Sequence, residues 1–442
     1  MSYFDLGAFE RTITTASEEA QVWFNRGLNW TYGYNHAEAI ACFDRALEHD
    51  PGCAMAQWGK AYAFGPNYNL PWHLMDPAGK AQALSAAYDA TQLALEHSAG
   101  KSQVEQDLIN ALPARYPQRE AIDDQRGWNQ DFVDAMRRIH KTYDRDLEVC
   151  TVFAEAILNL TPWKMWDLKT GRIAKGAGTA EAQLLLESAF EQFAEAWEHP
   201  GLLHLYIHLM EMSPFPQKAL RAGDCLRELV PDAGHLIHMP THIDVLCGQY
   251  SDVVVYNQKA IAADRKFLVE VGAMNVYSLY RTHDHHFVIY GAMFLGQYGP
   301  AIRAAQELID TTPDELLRVE SPPMADFIEG YLPMKQHVLI RFGKWQEIVA
   351  QELPKDQVLY CATTAMMRYA RSVAYSAMGN VAEAVVEKEA FLAAKVKVPE
   401  TRRVHNNTVV DILEIAEAML MGELEYRKGN YEVAFDYLRK SV

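Results

Sequence analysis

The chain has 442 residues, 49% hydrophobic and 22% charged, with a formal net charge of −17. That length and apolar content allow a large core and exclude intrinsic disorder, and the acidic balance argues against nucleic acid or an anionic membrane surface as a partner. Six scattered cysteines without a CxxC pair exclude a disulfide framework or a zinc ribbon and fit reduced thiols. The N-terminus lacks a basic start followed by an apolar run, and no stretch of about 18 apolar residues occurs, so a soluble cytoplasmic protein is expected.

Residues 19–52 hold two amphipathic runs with helical spacing, separated by the segment YGYNH and stopped at Asp50-Pro51. Small residues, Gly27, Ala39 and Ala46, stand where two helices would approach closely. With Trp23, Leu28, Tyr34, Ile40, Phe43 and Leu47 they give a pattern that resembles a tetratricopeptide (TPR) repeat, a helix–turn–helix unit of about 34 residues. A further helix is expected over 54–64. Helix pairs return at 132–143 and 147–160, 216–230 and 234–247, 276–296 and 300–309, 364–378 and 381–394, and 409–428 and 431–442, with a single helix over 250–264. Sustained strand alternation is absent. The expected fold is all-α, one TPR-like α-solenoid over 1–442, with N-terminal repeats at 19–110, central repeats at 111–312 and C-terminal repeats at 313–442. Three irregular segments, 65–77, 113–128 and 161–178, interrupt it, and loops of that length are often functional.

The chemistry concentrates between His199 and His242, where six of the 16 histidines lie. His204, His208 and Glu211 stand at i, i+4 and i+7 and share one helix face. His235, His238 and His242 stand at i, i+3 and i+7, and His283, His286 and Tyr290 repeat that spacing. Imidazole is the commonest protein ligand for transition metals. In the repeat register these three helices are the first helices of consecutive repeats, which lie side by side about 8–10 Å apart, so their histidines are expected to converge on one pocket. Pro240 lacks an N–H and is expected to kink or restart the helix between His238 and His242. Pro200-Gly201 reads as a helix start ahead of His204. His36, His49, His97, His140, His199, His285 and His337 read as capping or core residues, and Tyr206 as packing. Trp30, Tyr32, Tyr34, Tyr68, Trp72, Trp163 and Trp166 are either pocket walls or ordinary packing.

The segments GHLIHMPTH, HPGLLHLYIHLME, LTPWKMWD, AMAQWGKAYAFGPNYN and YRTHDHHF resemble a histidine-rich, GHLxHMPxH-containing branch of TPR proteins, over about residues 20 to 440. The resemblance implies that His204, His208, Glu211, His235, His238, His242, His283 and His286 occupy family positions. The chain departs from the branch at Asp284, where Asn is usual.

The expected function is a metal-dependent enzyme, an oxidoreductase using O2 on a small-molecule substrate. The metal ligands are expected among His204, His208, His235, His238, His242 and His286. Glu211 is a ligand, a general base or an orienting partner, and His283 and Asp284 are further catalytic candidates. Imidazole donors suit iron or copper, and also zinc, over Mg or Ca. Two alternatives use the same sequence: a metal-dependent hydrolase, and a non-catalytic TPR interaction module binding a peptide or protein partner. HLYIH is not H-E-x-x-H, GRIAKGAG is not a phosphate loop, and no nucleophile elbow is present.

Overall fold

A computed structural model describes residues 3–442 as helices with little else. Two compact units divide the chain, Met1–Phe267 and Leu268–Val442, and the boundary falls within the helix Tyr250–Val271. In the first unit Glu18–Tyr32 pairs with His36–His49, Ala54–Phe64 with Pro77–Glu96, and Arg126–Thr142 with Leu147–Leu158. In the second, Ser278–Phe294 pairs with Tyr298–Asp310, Cys361–Ala377 with Val381–Lys395, and Val409–Arg427 with Tyr431–Lys440. The all-α expectation therefore holds, as successive helical hairpins. No helix among the described residues is long and apolar enough to cross a membrane.

The first hairpin closes around one ring. Phe43 is fully buried, and a Cβ on Gly27 or on Gly59 would lie 2.5 Å from it. The two glycines thus let three helices share one aromatic core residue. Gly27→Ala is expected to cost about 1–3 kcal/mol through overpacking, and Phe43→Leu in the same chain should recover part of it. Thermal melting checks this; an unchanged midpoint in Gly27→Ala would show that the ring has room to move.

Two expectations need correction, and one is met. The run 216–230 is not one helix but a 3₁₀ turn, Pro216–Ala219, followed by the short helix Leu220–Leu226. The run 234–247 restarts at Pro240 as expected, dividing into Gly234–His238 and Pro240–Leu246, because Pro240 cannot donate into the preceding turn. The loop 161–178 holds a β-hairpin, Trp166–Asp167 against Arg172–Ile173, and a second hairpin pairs Arg403–Val404 with Asn407–Thr408. Two-residue strands are too short to show alternation.

Candidate metal centre

The helix Pro200–Met210 begins as the sequence predicts. His199 caps it, its ring nitrogen accepting from the N–H of Leu202, and Pro200 occupies the first turn. Gly201 permits a close approach: a Cβ there would lie 2.6 Å from the Tyr32 ring. Tyr32 is thereby held against the helix start, and its carbonyl oxygen meets Nδ1 of His204 at 2.7 Å. One turn on, Nδ1 of His208 meets Oε1 of Glu211 at 2.7 Å. Both imidazoles are buried, and in each the opposite nitrogen, Nε2, is buried without a hydrogen-bond partner.

The second strand of the site comes from the broken segment 234–246. Gly234 packs against Asp264, 2.1 Å from where its Cβ would stand, which brings Gly234–His238 onto the helix Tyr250–Val271. His238 Nδ1 then meets Oδ1 of Asn257 at 2.6 Å. The Pro240 break turns His242 back, so that its Nδ1 lies 2.8 Å from Oε2 of Glu211 and its Nε2 lies 2.9 Å from Nε2 of His238. His204, His208 and His235 each offer a nitrogen within 4.8 Å of the others. The first unit thus gathers five of the six expected ligand histidines with Glu211, and each oxygen of that carboxylate is engaged by an imidazole.

Aromatic side chains wall this cluster. The Tyr34 ring lies 4.6 Å from His204, 5.5 Å from His235 and 5.8 Å from His208, nearly parallel to the last. Tyr68 lies 4.5 Å from His208, and Trp163 stands edge-on at 5.8 Å. Tyr34 and Trp163 both adopt positive φ, +54° and +60°, a conformation that costs a bulky residue of order 1–3 kcal/mol and clusters at functional sites. Of the other aromatic candidates, Trp30 packs on Phe4 and Phe267, Trp72 on Tyr116, and Trp166 donates to the Leu209 carbonyl.

Electrostatics favour neutral rings. Burial, reinforced by neighbouring imidazoles, holds His204 and His235 well below the ordinary histidine range. Burial lowers His208 too, against the pull of Glu211. For Glu211, burial alone would raise the carboxyl, but His242 and His208 outweigh it and hold it below the usual carboxylate range. The result is an almost wholly buried carboxylate held ionised by its imidazole partners, while burial disfavours the charged form of His204, His208 and His235.

His283, Asp284 and His286 lie in the second unit, on the helix Ser278–Phe294. There the His283 and His286 rings are 5.8 Å apart, and His405 approaches His283 to 4.7 Å. Tyr331 lies 5.4 Å from His286. His405 sits at the tip of the second β-hairpin with φ +54°. As a lone histidine in RRVHNN it carries no spacing signal, and the sequence reading omits it. His285 bonds the Arg281 carbonyl and His36 the Ala63 carbonyl, both through Nδ1, in agreement with structural roles. Tyr206 packs on Phe190 and donates to Glu187.

A cavity of about 790 Å³ in the first unit is lined by Phe9, Arg11, Glu148 and His199, among others, and not by the cluster histidines. Tyr32 touches both places, since its hydroxyl donates to Glu148 while its carbonyl engages His204.

Residues 20–53 match the family model of the tetratricopeptide repeat. The first hairpin is thus similar to a tetratricopeptide repeat, in a chain whose longer helices pair as hairpins. Solved structures similar to the chain include a human IFIT1 dimer with PPP-AAAA, 12% identical over 96% of this chain and 72% of that one, TM-score 0.34. The APC/C hetero-tetramer Cut9–Hcn1 is 12% identical over 98% and 78%, TM-score 0.31. The TPR domain of P58(IPK) is 14% identical over 96% and 99%, TM-score 0.20. No curated protein matches the chain's sequence.

Proposed function

We propose that the first unit binds a transition-metal ion through His204, His208 and His235 and that the protein is a metal-dependent enzyme acting on a small molecule. One observation carries this reading. His204 and His208 each engage an acceptor through Nδ1 and leave a buried Nε2 without a hydrogen-bond partner, and with His235 each offers a nitrogen within 4.8 Å of the others. Unpaired buried polar atoms are costly, and an imidazole whose other nitrogen is fixed by a carbonyl or carboxylate is how proteins present a histidine to a metal.

Glu211 takes the orienting part of its three expected roles in this reading, since both oxygens hold imidazoles. Tyr34, Tyr68 and Trp163 exclude water and give a substrate an apolar wall. When bound, iron or copper would supply redox chemistry with O2, and zinc would supply Lewis acidity for hydrolysis; imidazole donors suit all three, and the oxidative case is the one put to test here. A protein-binding module, the other reading of a repeat chain, makes no use of buried imidazoles.

Elemental analysis of protein purified without a polyhistidine tag tests the proposal. Wild type should carry metal, and His204→Ala and His208→Ala should each lose at least one equivalent. Less than about 0.2 ion per chain in wild type, unchanged by metal supplementation or by either substitution, would sink it. Oxygen consumption with candidate substrates then separates oxidase from hydrolase.

A further inference from the structure

His238 and His242 meet across the Pro240 break with their Nε2 atoms 2.9 Å apart and their rings nearly perpendicular. The hydrogens on these rings follow from the groups around them. Asn257 donates through Nδ2 to the Val253 carbonyl, which can only accept, and to Thr241 Oγ1. Thr241 spends its own hydrogen on the His238 carbonyl. The Asn257 amide is therefore fixed, its oxygen faces His238, and His238 Nδ1 carries the hydrogen. His242 Nδ1 faces a Glu211 oxygen, and an ionised carboxylate only accepts, so this Nδ1 also carries a hydrogen. With a hydrogen on each Nδ1, the two Nε2 atoms converge on one point, and both can direct lone pairs at a single ion there.

We propose that His238 and His242 hold a second metal ion, separate from the one assigned to His204, His208 and His235. Resting as it does on the reading of the cluster as a metal centre, it makes that centre dinuclear within the first unit. Glu211 couples the two positions, because its oxygens orient His208 of one set and His242 of the other.

Asn257 is a positioning residue here. It touches no ion and acts by holding the hydrogen of His238 on Nδ1, a second-layer contact whose loss typically costs about 10–100-fold in metal affinity.

The test is a titration of the metal-stripped full-length chain with Co(II), read by visible absorption and by equilibrium dialysis. Wild type should bind two equivalents with distinct spectra. His242→Ala should bind one, with the spectrum of the remaining position, and His204→Ala should lose the other. Asn257→Leu keeps every ligand nitrogen and should weaken the second equivalent about 10- to 100-fold while sparing the first. Circular dichroism confirms that each variant folds. One equivalent in wild type, lost in His204→Ala and retained in both His242→Ala and Asn257→Leu, would overturn the second position and leave the first standing; a proton shared between the rings would give this result. No binding in any chain would remove both.

Discussion

Glu211→Gln is expected to weaken metal binding by about 10- to 100-fold, although Gln has nearly the same shape and touches no ion in our reading. The carboxylate accepts from Nδ1 of His208 and from Nδ1 of His242. An amide offers one acceptor oxygen and one donor nitrogen. Whichever way Gln turns, one imidazole then faces an N–H instead of an oxygen. That ring must move its hydrogen to Nε2, the nitrogen through which it would bind metal. Glu211→Gln also removes the buried negative charge that favours a cation. Competition against a chelator of known affinity measures the effect. Wild-type affinity in Glu211→Gln, with both ions retained, would show that the carboxylate does not set the tautomers. Glu211→Asp keeps the charge and shortens the reach, so it should fall between the two.

The second large effect is a stability difference that grows with pH. Glu155 lies in the helix Leu147–Leu158, buried, with the Tyr62 hydroxyl donating to it. Burial raises its carboxyl from 4.5 to about 8, opposed only in part by Asn159. Between those two pH values the folded chain holds a proton that the unfolded chain has released. Stability therefore falls as pH rises through this window and levels off above it. Glu155→Gln removes the titration. The variant should match wild type near pH 4.5 and exceed it above pH 8. The gap should reach up to about 5 kcal/mol, since stability changes by about 1.4 kcal/mol for each pH step across the window. Denaturant midpoints of both chains at several pH values isolate this group from all others, which titrate alike in the two. A difference that stays constant with pH would refute the raised carboxyl.

Much of the fold is legible in the sequence because helices signal themselves locally. The Gly27, Ala39, Phe43 and Ala46 pattern marks a hairpin whose glycine makes room for the Phe43 ring. The break at Pro240 follows from one missing N–H. Where the reading failed, the cause was short range: a 3₁₀ turn followed by the seven-residue helix Leu220–Leu226 has too few turns to separate from a longer helix by period. The site divides the same way. HxxxH and HxxH spacing places His204 with His208 and His235 with His238. The groups that fix those rings are distant or silent. The Tyr32 carbonyl is backbone, 172 residues away from His204 in sequence. Asn257 occupies a repeat-like position in a helix with no histidine of its own, and nothing in its neighbours marks it as a partner for His238. The cluster histidines follow helical spacing, whereas the atoms that orient them follow tertiary contact.

Tyr34 carries a consequence for engineering. It occupies the left-handed position between the two helices of the N-terminal repeat, where glycine would cost less, and its ring lies against three cluster histidines. Repeat proteins invite modular redesign, in which one unit is exchanged for an idealised consensus copy. Here such an exchange would relax the turn and keep the hairpin. It would also strip an aromatic wall from the histidine cluster, whose first member lies some 170 residues downstream. The N-terminal repeat is therefore not an interchangeable building block, and a graft that improves its folding is the kind most apt to disturb the histidine cluster.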